Sequence, residues 1–367
     1  MRIAIDLQGF QSERSRLRGI GRYSFELIKC LTELYPQHEY ILVANGALKD
    51  VRVELRSQLK LPNVNYIEWF SPGPLDYISR DINYFNLGKY IRTYTFKSLH
   101  VDIILITSFL EGFSDNCLTE FDGNLENTTI LSIFYDAIPL INPDLYLKNN
   151  PEFEQYYTYK LQEMRSLDGL LAISQSSKKE ACNYLNFDSK YVHNISSGCD
   201  ESIFNTNNTS SFKSNFDLRY FILYTGASDP RKNVRGLLEA YSQLSNRLRH
   251  YKLVLAGYLC DAEDQLIDSW IKLYSINPKK VVKAGYVSDE DLAELYRNCS
   301  LFVFPSFHEG FGLPILEAMS CGAPVIGSNR TSIPEIIGTK QAMFDPSNSN
   351  DIKELIERVL LDNQFKN

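Results

Sequence analysis

Residues 301–338 read LFVFPSFHEGFGLPILEAMSCGAPVIGSNRTSIPEIIG, and the order of parts in this stretch sets the architecture. Leu301 to Pro305 is an apolar run, too short for a helix and rich in strand formers, which predicts a buried strand. A turn follows over Ser306 to Gly312 and holds Glu309, Gly310 and Gly312. Pro314 suits the first turn of a helix, where a missing N–H costs nothing. Ile315 to Ser320 continue that helix, and Gly322 suits its C-terminal cap. A second strand is expected over Pro324 to Gly327. Strand, loop, helix and strand place the loop at the carboxyl end of a parallel sheet, where open α/β sheets bind ligands.

The small residues of that loop let backbone N–H groups approach an anion, and a helix start favours negative charge. Two acids bracket it, Glu309 before the loop and Glu317 one turn into the helix. A phosphate would repel them, so they suit hydroxyls. Carboxylate, anion-binding backbone and carboxylate, in that order, match a sugar joined to a diphosphate joined to a ribose. On spacing alone, Glu309 capping a helix and Glu317 lying on its wet face explains the acids equally well.

Working outward, the C-terminal half repeats the same alternation. A strand is expected from Tyr220, then a helix over Val234 to Leu248, a strand over Lys252 to Gly257 and a helix over Ala262 to Tyr274. A strand over Lys280 to Gly285 and a helix over Asp289 to Asn298 follow, and Asn350 to Leu361 reads as a last helix. Gly226 to Asn233 (GASDPRKN) lies in a strand-to-helix loop. Arg231 is a fork and Lys232 a point charge, both suited to a diphosphate. Cations are disfavoured at a helix start, so an anion is needed to justify them. Ser288 suits an N-cap, with Asp289, Glu290 and Asp291 as first-turn acids rather than metal ligands. The polar stretch Asn205 to Asn215 reads as a linker.

The N-terminal half begins with a strand over Arg2 to Leu7, a loop over Gln8 to Gly21 and an amphipathic helix from Ile20 to Tyr35. Gly19 and Gly21 before that helix have the layout of a phosphate-approaching loop, without the third glycine of a dinucleotide fingerprint. Arg14, Arg16, Arg18 and Arg22 suit an anionic acceptor or simply a solvated loop. Further strands are expected at Tyr40 to Ala44, Val64 to Trp69, Asp102 to Thr107, Ile130 to Asp136, Gly169 to Ser174 and Tyr191 to Ser196, with helices between. This is the pattern of a doubly wound parallel sheet. Residues 70–100 read as a variable element without chemistry. Tyr135 and Asp136 fall at a strand's carboxyl end, and a turn acid before Pro139 explains Asp136 equally well.

The 367 residues, 44% hydrophobic, suffice for two domains with real cores. A net charge of −7 gives no broad surface for polyanions, so nucleic acid is not an expected partner. The start MRIAIDLQGF reads as a strand and not a signal peptide. The seven cysteines are scattered and never spaced C-x-x-C, which suggests reduced core thiols in the cytoplasm.

The segment HEGFGLPILEAMSCGAPVI resembles the donor-site signature of the GT4 family of retaining glycosyltransferases, with the E-x7-E spacing of Glu309 and Glu317. The resemblance covers nearly the whole chain and is specific mainly in the second half. It implies an α/β GT-B fold, two Rossmann-like domains facing across a cleft, here residues 1–200 on the acceptor side and 201–367 on the donor side. It implies that Glu309 contacts the transferred sugar, Glu317 the ribose, and the amides of Gly310, Phe311, Gly312 and Leu313 the sugar and diphosphate. Arg231 and Lys232, after Gly226, match the family's cation pair at the donor phosphates. Gly19 and Gly21 match its glycine loop, and Val287 lies where backbone groups hold the base. Tyr135 stands where many relatives place a histidine that touches the donor sugar, and Asp136 follows it. A phenol, with an ordinary pKa of about 10, is no base near neutral pH.

IDLQGF, RGIGRYS and FYDAIPL look most like bacterial polysaccharide or O-antigen mannosyltransferases. The resemblance thus implies transfer of a hexose, mannose from GDP-mannose, to a glycan or lipid-linked glycan, with no metal or cofactor. TDP- or UDP-sugars, a sugar-nucleotide epimerase and a non-catalytic sugar-nucleotide module remain as other readings. Relatives usually end in a further helix. Its absence here reads as a trimmed piece, one module of a larger multi-transferase chain, or a shortened natural end. The expected location is the cytoplasm, with peripheral association at the inner face of the membrane as a further reading.

Overall fold

The computed structural model describes residues 1–16, 19–59, 62–79, 81–207, 220–226 and 229–362. The chain divides into two compact units, Met1–Ser196 and Ser197–Asn367. Most of the expected linker, from residue 208 on, lies outside the described residues, as does Arg18. Asn205, at the linker's start, is held by Arg297, whose Nη1 donates to the Asn205 carbonyl at 2.8 Å.

The first unit contains strands β1 (Arg2–Asp6), β2 (Glu39–Asn45), β3 (Val64–Trp69), β4 (Ile103–Ile106), β5 (Thr129–Phe134), β6 (Gly169–Ala172) and β7 (Val192–Asn194). Their order is β3-β2-β1-β4-β5-β6-β7, and every pairing is parallel. The chain leaves β1 toward β2 on one side and returns at β4 on the other. The switch point therefore lies between β1 and β4, where a crevice opens at the carboxyl ends.

The second unit repeats this plan with β8 (Phe221–Thr225), β9 (Lys252–Ala256), β10 (Val281–Gly285), β11 (Leu301–Phe304), β12 (Val325–Ser328) and β13 (Met343–Phe344), in the order β10-β9-β8-β11-β12-β13. Its switch point lies between β8 and β11. Both faces of this sheet are covered, because side chains alternate along a strand. Ile222 and Tyr224 of β8, with Leu301 and Val303 of β11, join one buried cluster. Phe221, Leu223, Phe302 and Phe304 join the cluster on the opposite face. Each such apolar side chain contributes roughly 1.5–3 kcal/mol by leaving water.

Local signals predicted several boundaries well. The helix Leu313–Ser320 carries proline in its first turn. Gly322, at φ 77°, then donates to the Met319 carbonyl while Ala323 donates to Ala318, the paired bonds of a Schellman cap. Ser288 Oγ accepts from the Asp291 N–H at 3.1 Å and caps Asp289–Asn298, whose acids sit in the first turn. Other expectations need correction. The helix from Val234 ends at Ser242, and a separate turn of 3-10 helix covers Asn246–Leu248. The loop after β1 contains a short helix, Gln8–Gln11. The cysteines are all free, but Cys30 and Cys260 are exposed rather than core residues.

Residues 70–100 are more than a variable surface. Helix Ile82–Ser98 buries Arg92 completely, 2.5 Å from Asp6 on β1 and over the rings of Phe96 and Phe121. Lys160 and Glu120 form a second buried pair nearby, at 3.1 Å. Burial lowers the Arg92 guanidinium pKa, against the attraction of Asp6.

Candidate active site

The candidate site belongs to the second unit and is assembled from loops at the ends of adjacent strands. After β8, Gly226 takes φ 133°, a region that favours glycine. The residues after it, 227–228, lie outside the described part. Asp229 then caps a single turn of 3-10 helix, Pro230–Lys232, by accepting the Arg231 N–H at 2.9 Å. Asn233 follows in the left-handed region at φ 54°. Its buried side chain donates to the carbonyls of Pro305 and Pro346, at 3.2 and 2.7 Å, and accepts from Gly236 N–H. One residue therefore ties the Arg–Lys turn to the end of β11.

That tie brings Arg231 and Lys232 onto Glu309. Lys232 Nζ lies 2.6 Å from Oε1, and Arg231 Nη1 lies 2.9 Å from Oε2 and 3.1 Å from the His308 carbonyl. The backbone of the two loops is joined as well, Phe307 N–H donating to the Arg231 carbonyl at 2.7 Å. Burial raises the Glu309 carboxyl pKa, but the Lys232 and Arg231 charges outweigh this and bring it down to about 2. Burial also lowers the Lys232 pKa, aided by Arg231 and opposed by Glu309. The anion that these cations require is thus partly supplied inside the unit, by Glu309 and by Asp229, whose Oδ1 is 3.6 Å from Arg231 Nε.

Glu317 is buried at 2% exposure, which removes the reading that it lies on a wet helix face. The Tyr296 hydroxyl donates to its Oε2 at 3.4 Å and lies 3.4 Å from Thr225 Oγ1 at the end of β8. Glu309 does not cap the following helix, which starts from Gly312 without a side-chain cap, and is ion-paired instead. Between the acids, Gly310, Phe311 and Gly312 lead into Leu313 at the helix start, with Gly312 at φ 125°. Val287 packs at the edge of the core beside the Ser288 cap.

Four expected residues belong to the first unit. Gly19 begins helix Gly19–Leu34 with open space around it. Gly21 is required sterically, because an added Cβ would fall 2.2 Å from the Arg16 carbonyl oxygen. The Tyr135 hydroxyl donates to the Thr107 carbonyl at 2.9 Å and lies 3.2 Å from Ser24 Oγ. Burial pushes its pKa far up. Asp136 accepts the Ile138 N–H at 3.0 Å, the role of a turn acid before Pro139. Of the basic loop, Arg14 stacks over Phe113 and Arg16 lies 3.6 Å from Glu54.

Sequence reasoning missed Glu111, which lies at the switch point of the first sheet. Its oxygens accept from the hydroxyls of Ser12 and Ser108, each at 2.9 Å, and from Ser15. Burial raises the Glu111 carboxyl pKa while the three serines lower it. Thr331 and Ser332, which carry no local sequence signal, both bind the backbone of Glu309. No helix among the described residues is long and apolar enough to cross a membrane.

Two Rossmann-like parallel-sheet units, each with a switch point, are the plan of the GT-B fold. A solved structure with this fold, Anabaena Alr3699/HepE in complex with UDP, matches 99% of this chain and 90% of its own at TM-score 0.68 and 14% identity. Residues 206–367, within the second unit, match the family Glycosyl transferases group 1. Among curated relatives, the serotype-specific mannosyltransferase WbdA of Escherichia coli is 35% identical over 376 residues, spanning 100% of this chain and 44% of the relative. The O-antigen chain mannosyltransferase B of Escherichia coli is 44% identical over 155 residues, 40% of this chain and 38% of the relative. The chain spans less than half the length of these relatives.

Proposed function

We propose that the chain transfers a hexose, mannose from GDP-mannose, to a hydroxyl of a glycan or lipid-linked glycan in bacterial polysaccharide synthesis. The observation that carries this reading is Glu309 held between Arg231 and Lys232 beside a glycine-containing loop, in a unit that matches the group 1 glycosyl transferases. A carboxylate kept ionised by two cations is a strong acceptor for sugar hydroxyls. The cations and the amides of Gly310 to Leu313 then stabilise diphosphate charge as the glycosyl bond breaks. Glu317 holds the ribose, and Val287 lies where the base is bound.

The names of the relatives support mannose, and the UDP complex of HepE supports a nucleotide-sugar donor in this fold. Departure and attack proceed on one face through an oxocarbenium-like state, with retained configuration. No metal is required, so EDTA leaves the rate unchanged. The enzyme works in the cytoplasm, at the inner face of the membrane where lipid-linked acceptors lie, and alongside further transferase modules.

The test is a thermal-shift screen of GDP-, UDP- and TDP-sugars, since a ligand bound only by the folded state raises stability by mass action. It is followed by transfer from the best donor to mannose-containing acceptors, with the new linkage read by NMR. Stabilisation by GDP-mannose and an α-linked product are expected. No response to any nucleotide sugar, or an inverted product, overturns the reading.

A further inference from the structure

The loop from Glu309 to Leu313 holds two glycines, which cannot set a backbone direction by themselves. Ordering each residue costs about 1–2 kcal/mol of conformational entropy, and glycine loses the most freedom. The amides proposed to meet the donor must therefore be aimed from elsewhere.

The turn between β12 and helix Ile333–Ile337 reaches them. Ser332 is wholly buried. Its hydroxyl lies 2.9 Å from the Glu309 carbonyl oxygen and also reaches the Phe311 carbonyl, so one proton serves two acceptors. Thr331 Oγ1 accepts the Glu309 N–H at 3.1 Å. Thr331 sits at φ 52°, in the left-handed region, a strain of about 1–2 kcal/mol for a residue with a Cβ. Such strain persists only where surrounding bonds over-determine the backbone.

A trans peptide points its C=O and the following N–H in opposite directions, and the described backbone has no cis bond. Anchoring the Glu309 carbonyl on Ser332 turns the Gly310 N–H away from Ser332. Anchoring the Phe311 carbonyl turns the Gly312 N–H away from it too. We infer that Ser332 is a positioning residue of the donor site: one buried hydroxyl aims the Gly310 and Gly312 amides, while Thr331 fixes the amide of Glu309. The inference rests on the donor-site reading above and adds the element that orients it.

Titration calorimetry with GDP and UDP on the full chain, well below its unfolding temperature, tests this. Ser332→Ala is expected to weaken the better-bound nucleotide about tenfold or more, the loss of roughly one well-aimed hydrogen bond. Ser332→Cys, which keeps a weaker donor, should fall between. A serine that only supported the fold would lower the melting temperature and leave the affinity of the folded protein unchanged. Unchanged affinity in Ser332→Ala, beside lost affinity in Lys232→Ala, overturns the role of Ser332 and leaves the donor site standing. Wild-type protein that binds neither nucleotide overturns both. Should Ser332→Ala fail to fold, Ser332→Cys decides: weakened binding supports the role, and wild-type affinity overturns it.

Discussion

Lys232 Nζ lies 2.6 Å from Glu309 Oε1, and Arg231 takes the other oxygen of the same carboxylate at 2.9 Å. The cations follow β8 and the acid follows β11, strands that are neighbours only in the sheet. One anion and two cations, largely shielded from water, make a site whose charge responds strongly to any change in one member.

Removing a member should therefore remove catalysis more than it removes structure. Lys232→Ala and Glu309→Ala are each expected to lower kcat at least 100-fold, about 3 kcal/mol of barrier, typical for one charge-stabilising donor. Circular dichroism should stay native. Near-normal rates in both variants would dismiss this site.

Acid should weaken the fold through the same residue. The Glu309 carboxyl titrates at about 2 in the folded chain, where Lys232 and Arg231 outweigh the opposing effect of burial. An unstructured glutamate titrates near about 4.3. A depressed acid pKa gives stability that is complete above the unfolded value and lost as pH falls through the folded one. Urea unfolding between about pH 4.5 and 2 should thus show a steeper loss of stability in the wild type than in Glu309→Gln. Equal slopes would contradict the ion pairing.

A different buried pair governs the first unit. Arg92→Leu leaves Asp6 buried without its cation and is expected to cost about 3–5 kcal/mol, read from the urea midpoint. Asp6→Asn combined with Arg92→Leu should recover part of that loss, because the stranded charge is gone. A double variant no more stable than the single one would argue against the pairing.

The two glycines of the first loop should behave oppositely. Gly21→Ala places a methyl 2.2 Å from the Arg16 carbonyl oxygen and should destabilise by roughly 1–3 kcal/mol. Gly19→Ala meets nothing within 4 Å and should be neutral, or stabilising by about 0.4–1 kcal/mol through the unfolded chain. Matching melting curves for the pair would show that the close approach is absent.

Much of this architecture could be read from residues alone, because its signals act within a few positions. Pro314 and Gly322 mark the ends of one helix, Ser288 caps another, and short apolar runs alternate with helical periods. Those features follow from backbone hydrogen bonding and side-chain burial, which the local chain dictates. The resemblance carried by Glu309, Glu317 and the Arg231–Lys232 pair also pointed to glycosyltransferases, as the match of the second unit does.

Partnership was another matter. Sequence reasoning asked for an external anion beside Arg231 and Lys232, and folding placed Glu309 there, 77 residues from Lys232. It left Glu111 and Arg92 without any role, since neither the three serines on one nor the burial of the other has a local pattern. Tertiary structure alone decided these contacts, because sheet order, and not distance along the chain, determines which loops meet. The sequence determined the strands, helices and caps, through interactions that close within a turn or two. Only the folded sheet could choose which charges would share one carboxylate, since shielding ions from water becomes tolerable only when every partner is already in place.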